Sequence, residues 1–338
     1  MRANAPQAHQ SVRWFRRVAL MGAVLAAVVV ILGAWVRLTD AGLGCPDWPG
    51  CYGHVYPTAA PEAGKAWHEM IHRYVAGSLA MIIAALLVWA VLRRKDRGQP
   101  LRPVALLFLV VCLQAILGAL TVTMLVVPPI VTAHLFGGLT TLSLLCWLCI
   151  APERRALSAA ELRLRPFALA AFTILAVQIF LGGWTSTNYA AIACPDFPTC
   201  QRSWWPPMDF RNAFVLWRGL GVDYEGGVLA NPARMAIQVT HRIGAVVAAS
   251  TLLALGVTAC IRATSPRLTR ASLLLIAAIL LQVSLGIATV HFAFPLPVAT
   301  LHNAGAALLV VAMVWLVRAL WPGPPVGMVP FPNADRAQ

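Results

Sequence analysis

Residues 103–150 read PVALLFLVVCLQAILGALTVTMLVVPPIVTAHLFGGLTTLSLLCWLCI and contain no Asp, Glu, Lys or Arg. Pro128 and Pro129 divide this stretch into two apolar runs, each longer than the roughly 20 residues with which a helix crosses a bilayer. The pattern returns at 271–320, where the segment QAILGALTV of the first stretch is matched by QVSLGIATV. The stretch therefore predicts membrane-spanning helices and an internal repeat.

The composition extends this prediction to the whole chain. Of its 338 residues, 59% are hydrophobic and only 11% are charged, which is too apolar a balance for a fold surrounded by water. We therefore expect an all-α integral membrane protein with eight transmembrane helices. The apolar runs that predict them lie near 18–36, 67–92, 103–126, 129–150, 166–186, 235–261, 271–293 and 296–320.

The net charge of +14 is unevenly distributed along the chain. Most Lys and Arg residues lie in the N-terminal segment, in every second connection and towards the C-terminal end. The positive-inside rule then places both termini in the cytoplasm of a bacterial-type plasma membrane. The excess charge is thus a topology signal, and we expect the lipid bilayer, rather than nucleic acid, as its partner.

The repeat divides the chain into two similar parts. We expect a four-helix unit one at 1–150, a cytoplasmic linker at 151–166, a four-helix unit two at 167–321 and a tail at 322–338. Because each unit has an even number of spans, both insert in the same direction and form parallel repeats, which disfavours an inverted-repeat transporter. Equivalent residues should then lie at the same depth.

Each unit carries the same two histidines. His72 and His134 of unit one recur as His241 and His302, at offsets of 169 and 168 residues. All four are predicted in the first turns of helices that enter from the outer side, and two imidazoles on facing helices are a recurrent way to hold haem iron. A lone histidine at an interface is more often merely solvated, but four at equivalent positions favour a ligand. Zinc or copper remains an alternative to haem.

The arginine after the first histidine of each unit is a second candidate. Arg73 and Arg242 could pair with haem propionates near the outer surface, or reach lipid phosphates instead.

The two units differ three residues before their first histidine. Unit one has Glu69, on the same helix face as His72, whereas unit two has Gln238. A carboxylate beside a haem could accept protons or stabilise positive charge, which an amide cannot do. A helix-start carboxylate favoured by the helix dipole is the structural alternative. The asymmetry indicates that unit one reacts and unit two only holds its haem.

Each unit also carries a Cys-x5-Cys loop. The loops CPDWPGC at 45–51 and CPDFPTC at 194–200 face the predicted outer side, where the oxidising environment favours a disulfide within each pair. A covalent staple over the haem and redox exchange with an external thiol both remain open as roles.

Together these motifs resemble the haem A synthase family. The resemblance covers about 15–321 and rests on RLTDAGLGCPDWPGC at 37–51, on Glu69-x-x-His72-Arg73 and Thr240-His241-Arg242, and on His134 and His302. It implies oxidation of the C8 methyl of haem O to a formyl group, by successive oxidations, to make haem A for cytochrome oxidase.

The resemblance also implies residue roles. His72 and His134 would hold the substrate haem O, Glu69 would be needed for its oxidation, and His241 and His302 would bind a haem b cofactor. It further implies disulfides between Cys45 and Cys51 and between Cys194 and Cys200, with both haem sites towards the outer side.

The resemblance leaves some partners open and one rival function. Haem O would be delivered by a haem O synthase, an electron acceptor is required, and a homo-oligomer is an option that the sequence leaves open. The rival is a di-haem b-type membrane cytochrome that only transfers electrons, since its bis-histidine sites would look the same. His54, His68 and His291 do not recur in the other unit and receive no role.

Overall fold

The computed structural model describes residues 5–58, 60–94, 100–219 and 221–322, with side chains from residue 12 onward. The predicted tail lies outside the described residues except for Pro322. In the described part, the chain forms one short 3-10 helix at Ala191–Ala193 and α-helices only otherwise, with no strand longer than a single bridge. The α-helices are α1 (Ala5–Leu38), α2 (Ala63–Leu92), α3 (Leu101–Thr123), α4 (Pro128–Cys149), α5 (Ala159–Leu162), α6 (Leu164–Thr187), α7 (Phe210–Ala213), α8 (Asn231–Arg262), α9 (Pro266–His291) and α10 (Leu296–Leu320).

Eight helical segments are long and apolar enough to cross a membrane. They are α1, α2, α3, α4, the continuous α5–α6 segment, α8, α9 and α10. The prediction of an all-α integral membrane protein with eight spans is confirmed.

Helix ends deviate from the predicted runs where local chemistry sets the boundary. Helix α9 begins five residues before its apolar run because Pro266 occupies the first turn and the Ser265 hydroxyl accepts a hydrogen bond from the Leu268 amide at 3.3 Å. Helix α3 ends three residues before its run because Leu125 and Val126 adopt positive φ angles of 55° and 53°. Apolarity alone does not report such backbone turns.

The same turn follows α9. Ala293 and Phe294, the counterparts of Leu125 and Val126, have φ angles of 56° and 61°. Each turn is followed closely by a helix with proline among its first two residues, α4 in the first case and α10 in the second. The two helices that carry His134 and His302 are therefore started in the same way.

Helices of the two predicted units share one core. Helix α4 contacts α10, while α1 packs on α10 and α6 packs on α4, so the first helix of each unit touches the last helix of the other. Leu142 and Leu145 of α4 and Val310 and Met313 of α10 are buried in this core. The alanines on α1 at 19, 23 and 26 allow close helix approach.

Equivalent residues meet where α1 and α6 end. The Arg37 guanidinium donates to the Ser186 carbonyl at 2.7 Å, and the Tyr189 hydroxyl donates to Asp40 at 2.7 Å. Ser186 and Tyr189 are the counterparts of Arg37 and Asp40, 149 residues along the chain. Contacts between counterparts are typical of a two-fold relation. The parallel arrangement, the unit boundaries and the side of the termini stay predictions.

The linker is fixed by a buried carboxylate. Glu161 accepts hydrogen bonds from Arg155 at 2.7 Å and 3.0 Å, and from the amide and hydroxyl of Thr264 at 3.0 Å and 2.8 Å. Ser158 and Glu161 also form a capping box that starts α5. These bonds tie the connection between the units to the segment before α9.

Candidate functional site

The structure brings the two unit-one histidines face to face. The imidazole centroids of His72 on α2 and His134 on α4 lie 6.5 Å apart, with an angle of 77° between the rings. When a metal lies about 2 Å from a nitrogen of each of two imidazoles, the ring centroids are about 6 Å apart. The spacing of this pair therefore fits a ligand whose metal is held from both sides.

Each of the four histidines lies against a glycine of the preceding long helix. A Cβ added to any of these glycines would come within 3.0–3.3 Å of the histidine Cε1, so a larger residue would displace the ring. The sequence analysis did not identify these glycines, although their regular positions were a usable signal. The pairs are Gly33 with His72, Gly118 with His134, Gly182 with His241 and Gly286 with His302.

The imidazoles retain unused hydrogen-bonding capacity. Among the described residues, the Nδ1 atoms of His72, His134 and His302 are buried without a hydrogen-bond partner. In the same part of the chain, no group of three His, Cys, Asp or Glu side chains comes together in a way that could hold a metal ion. The facing imidazoles of His72 and His134 fit haem iron, for which the protein has to supply only one or two ligands.

The unit-two histidines are held differently. The Gln178 amide nitrogen lies 3.1 Å from His241 Nδ1 and donates to the His241 carbonyl at 3.0 Å. The Gln282 amide nitrogen lies 3.4 Å from His302 Nε2. Gln178 was not among the predicted site residues. These two rings therefore have polar side chains as neighbours.

Glu69 is buried next to the first disulfide loop. Its side chain accepts a hydrogen bond from the Cys45 amide at 2.9 Å and forms an ion pair with Arg73. The relative exposure of Glu69 is 4%, so the chain keeps a carboxylate in its interior only with these two donors. Its counterpart Gln238 is equally buried, and in the described structure the Gln238 Oε1 has no hydrogen-bond partner.

Both candidate arginines reach the disulfide loops. Arg73 donates to the carbonyls of Asp47 at 2.9 Å and Gly50 at 2.6 Å. Arg242 donates to the carbonyls of Cys194 at 3.0 Å and Thr199 at 2.7 Å. Their pairing with haem propionates stays a prediction, while their structural partners are the loop carbonyls.

Both predicted disulfides are present. Cys45 is bonded to Cys51 and Cys194 to Cys200. The two loops fold alike, since the amide of the second cysteine donates to the carbonyl three residues later, His54 at 2.8 Å and Ser203 at 2.9 Å.

An aspartate organises each loop from within. Asp47 accepts the Gly53 amide at 2.9 Å, and Asp196 accepts the Arg202 amide at 3.0 Å. The Gly53 amide lowers the pKa of Asp47 below its usual value, and the Thr199 hydroxyl lowers the pKa of Asp196 in the same way. The loops are thus matched in covalent bond, backbone pairing and internal carboxylate.

The histidines without a counterpart lie outside the two pairs. The His68 ring packs edge-on against Trp35 with centroids 6.1 Å apart. His54 lies three residues after the first disulfide loop and pairs through its backbone with Cys51, and His291 packs against Phe292 at the end of α9. The geometry assigns none of them a place among the paired imidazoles.

The sequence matches a known protein family over most of its length. The model of the COX15-CtaA family, described as cytochrome oxidase assembly protein, matches residues 16–314. The chain belongs to this family. The region matched includes both disulfide loops and all four paired histidines, and it confirms the resemblance seen in the sequence motifs.

Three relatives align with nearly the full chain. It is 41% identical over 326 residues to the Heme A synthase of Shewanella oneidensis, an alignment that covers 91% of this chain and 96% of the relative. It is 28% identical over 355 residues to the Heme A synthase of Rhizorhabdus wittichii, covering 94% and 96%. The Heme A synthase of Rhodopseudomonas palustris is 24% identical over 355 residues, covering 93% of each chain.

Proposed function

We propose that this chain is a haem A synthase, an oxidoreductase that converts the C8 methyl of haem O into a formyl group by successive oxidations. The observation that carries the proposal is the pair of facing imidazoles, His72 and His134, one helical turn from the buried carboxylate of Glu69. Membership of the COX15-CtaA family and 41% identity to a Heme A synthase support it.

Unit one is the proposed substrate site. His72 and His134 would hold the haem O iron, and the glycines that face their rings keep the space the imidazoles need. Unit two is the proposed cofactor site, where His241 and His302 would hold a haem b. When bound, haem b supplies one-electron redox chemistry, so it could pass electrons towards an acceptor.

Glu69 is the proposed proton acceptor during methyl oxidation. Removing electrons from a C–H bond also releases protons, and a carboxylate can accept them where the amide of Gln238 cannot. The Cys45 amide and the Arg73 guanidinium fix the orientation of the carboxylate. Arg73 also touches the disulfide loop, so this set of groups connects the histidine pair with the predicted outer surface.

The proposal also covers supply and location. Haem O would come from a haem O synthase, and the electrons would leave to an electron acceptor. Both haem sites would lie towards the predicted outer side of the membrane. Arg73 and Arg242 would also pair with the haem propionates, in addition to their contacts with the disulfide loops.

Pigment analysis tests the function directly. The full chain is expressed in cells that make haem O but lack their own haem A synthase, and the extracted haems are identified by mass. We expect haem A or its hydroxymethyl precursor, and none in cells with the empty vector. Bound haem that remains unmodified despite a haem O supply would contradict the proposal and leave the electron-transfer cytochrome as the function.

A further inference from the structure

Three of the four histidine sites contain the same glutamine–glycine packing. In each of these sites, a glutamine lies four residues before the glycine that faces the imidazole ring. The amide of this glutamine packs over a second glycine, which lies three residues after the histidine. A Cβ on that second glycine would overlap the glutamine amide in every case. The pairs are Gln114 with Gly137, Gln178 with Gly244 and Gln282 with Gly305.

In unit two this glutamine touches its histidine. Gln178 contacts both the ring and the carbonyl of His241, at 3.1 Å and 3.0 Å, and Gln282 approaches the His302 ring at 3.4 Å. An imidazole that binds iron through one nitrogen carries a proton on the other, so the Gln178 amide supports the ring with its oxygen turned towards that nitrogen. Such a hydrogen bond fixes the orientation of a ligating imidazole, and losing it typically costs about 10- to 100-fold in metal affinity. The glutamine can therefore directly strengthen the binding of haem iron by the histidine.

His72 is the exception. The counterparts of Gln178 and Gly244 in unit one are Val29 and Val75, at offsets of 149 and 169 residues. The Val29 side chain offers the ring no hydrogen-bond partner, and Val75 carries a branched side chain where the other three sites have the glycine that makes room for the amide. The ring-facing glycine, Gly33, is nevertheless present. The site thus keeps room for the imidazole but lacks the amide beside it.

We propose that Gln178 and Gln282 are positioning residues that retain the unit-two haem, and that His72 is the exchangeable ligand through which haem O enters and product leaves unit one. The inference rests on the proposed function, in which one haem stays while the other must depart at every turnover. The Gln114 amide packs over Gly137 on the helix that carries His134, so the His134 side keeps the packing that the His72 side lacks.

Haem exchange measures the inference without any oxidation. Purified full-length protein in lipid nanodiscs is loaded with ferric haem b, and its transfer to excess apomyoglobin is followed by absorbance. The His241→Ala/His302→Ala background reports unit one alone, and the His72→Ala/His134→Ala background reports unit two alone. We expect unit one to release haem b about 10-fold or more faster than unit two.

Transplanting the packing gives the decisive comparison. Val29→Gln with Val75→Gly, in the unit-one background, should slow haem release about 10-fold, and both changes are needed because Val75 would overlap the new amide. Release that is unchanged or faster, from protein with an intact bis-histidine spectrum, overturns the inference.

A second variant covers the case in which the transplant does not fold. Gln178→Met keeps the length of the side chain but removes the amide, and in the unit-two background it should speed release about 10-fold, with Gln178→Glu restoring part of the retention. Equal release from Gln178→Met and the parent overturns the inference, because helix packing alone would then explain the glutamine.

The two proposals fail separately. If the release rates follow the glutamines but no haem A is made, the exchangeable ligand stands and the enzymatic function falls. If haem A is made but the rates ignore the glutamines, the function stands and this inference falls.

Discussion

The first histidines of the two units, His72 and His241, lie in matching helices and are each followed by an arginine. The hydrogen-bond partners of that arginine differ between the units. In unit one, Arg73 divides its hydrogen bonds between Glu69 and the carbonyls of the disulfide loop. In unit two, where Gln238 replaces the carboxylate, Arg242 donates to the loop carbonyls alone, including that of Cys194. The scaffold is thus repeated while the buried negative charge is present in one copy only.

This difference separates holding a ligand from acting on it. Both units supply two imidazoles and a glycine against each ring, which is what a bound haem needs. Among the described residues, only unit one has a buried carboxylate three residues before its first histidine, and under the proposed function this is the group that exchanges protons. Under the proposed function, a duplicated fold can therefore keep two binding sites and make only one of them reactive through a change at a single position. That position holds Glu69 in unit one and Gln238 in unit two.

Removing the carboxylate should give the largest effect. Glu69→Gln makes unit one resemble unit two at this position, and we expect formyl formation to fall by about 100-fold or more, the usual contribution of a general acid or base. Haem binding should persist, because the imidazoles are unchanged. Product yield is measured by mass of the extracted haems.

Gln238→Glu is the matched control for that change. It places a carboxylate in unit two, and since no substrate is expected there, haem A formation should stay within about two-fold of the parent, well below the general acid–base contribution. Full product yield from Glu69→Gln would show that the carboxylate has only a structural role.

Filling the space beside a ring should have the next largest effect. Gly33→Val adds bulk where even a Cβ would lie 3.0 Å from the His72 ring. Such overpacking costs about 1–3 kcal/mol, so we expect the affinity of unit one for haem to fall by about 10- to 100-fold. Gly77→Val is the control, because a Cβ there meets nothing within 4 Å. Equal haem titrations for the two variants would remove the glycines from the site.

The spans, the disulfides and the histidine pairs could be predicted because each follows from local composition or from the repeat. The glycines against the rings recur at equivalent positions of the two units, but that signal alone did not single them out, because glycine is common in membrane helices and only the helix pairing shows which ones face a ring. Gln178 was missed for a related reason. Its contact with His241 depends on the rotation of α6 against α8, which apolar periodicity does not fix.

The roles of the two arginines show a different limit. Arg73 and Arg242 were expected near haem propionates from their position after a histidine. Their loop partners depend on where the carbonyls of the seven-residue disulfide ring point, and the backbone of that ring has no periodicity from which to predict it. Sequence therefore located the charges correctly and left their hydrogen-bond acceptors undetermined.

Opening the disulfides should have unequal consequences in the two units. In the loop-entropy model, a ring this small stabilises the fold by roughly 2 kcal/mol, so Cys45→Ser/Cys51→Ser and Cys194→Ser/Cys200→Ser should lower stability similarly. Only the first pair supports Glu69, through the Cys45 amide. We therefore expect about a 10-fold loss of haem A formation from the first double variant, through misplacement of the carboxylate.

Two measurements separate these contributions. Thermal unfolding in nanodiscs reports stability, and haem A yield per bound haem reports activity. An equal loss of yield in both double variants would contradict the special link between the first loop and Glu69. Complete loss in the first, with stability unchanged, would instead indicate that the Cys45–Cys51 bond takes part in redox turnover.

The smallest effect should come from the aspartates inside the loops, and it should depend on pH. The pKa of Asp47 is lowered in the folded protein, first by the Gly53 amide, so its contribution to stability is present above its unfolded pKa of about 3.9 and is lost as pH falls through the lower folded value. Asp47→Asn should therefore lower the Tm slightly at pH 7, and the difference from the parent should shrink as the pH falls below the unfolded value. Asp196→Asn should behave alike, since the Thr199 hydroxyl and loop amides lower the pKa of Asp196. A stability difference that is independent of pH for either variant would mean that the charge of the carboxylate contributes nothing to the loop, and that the two loops match in shape alone.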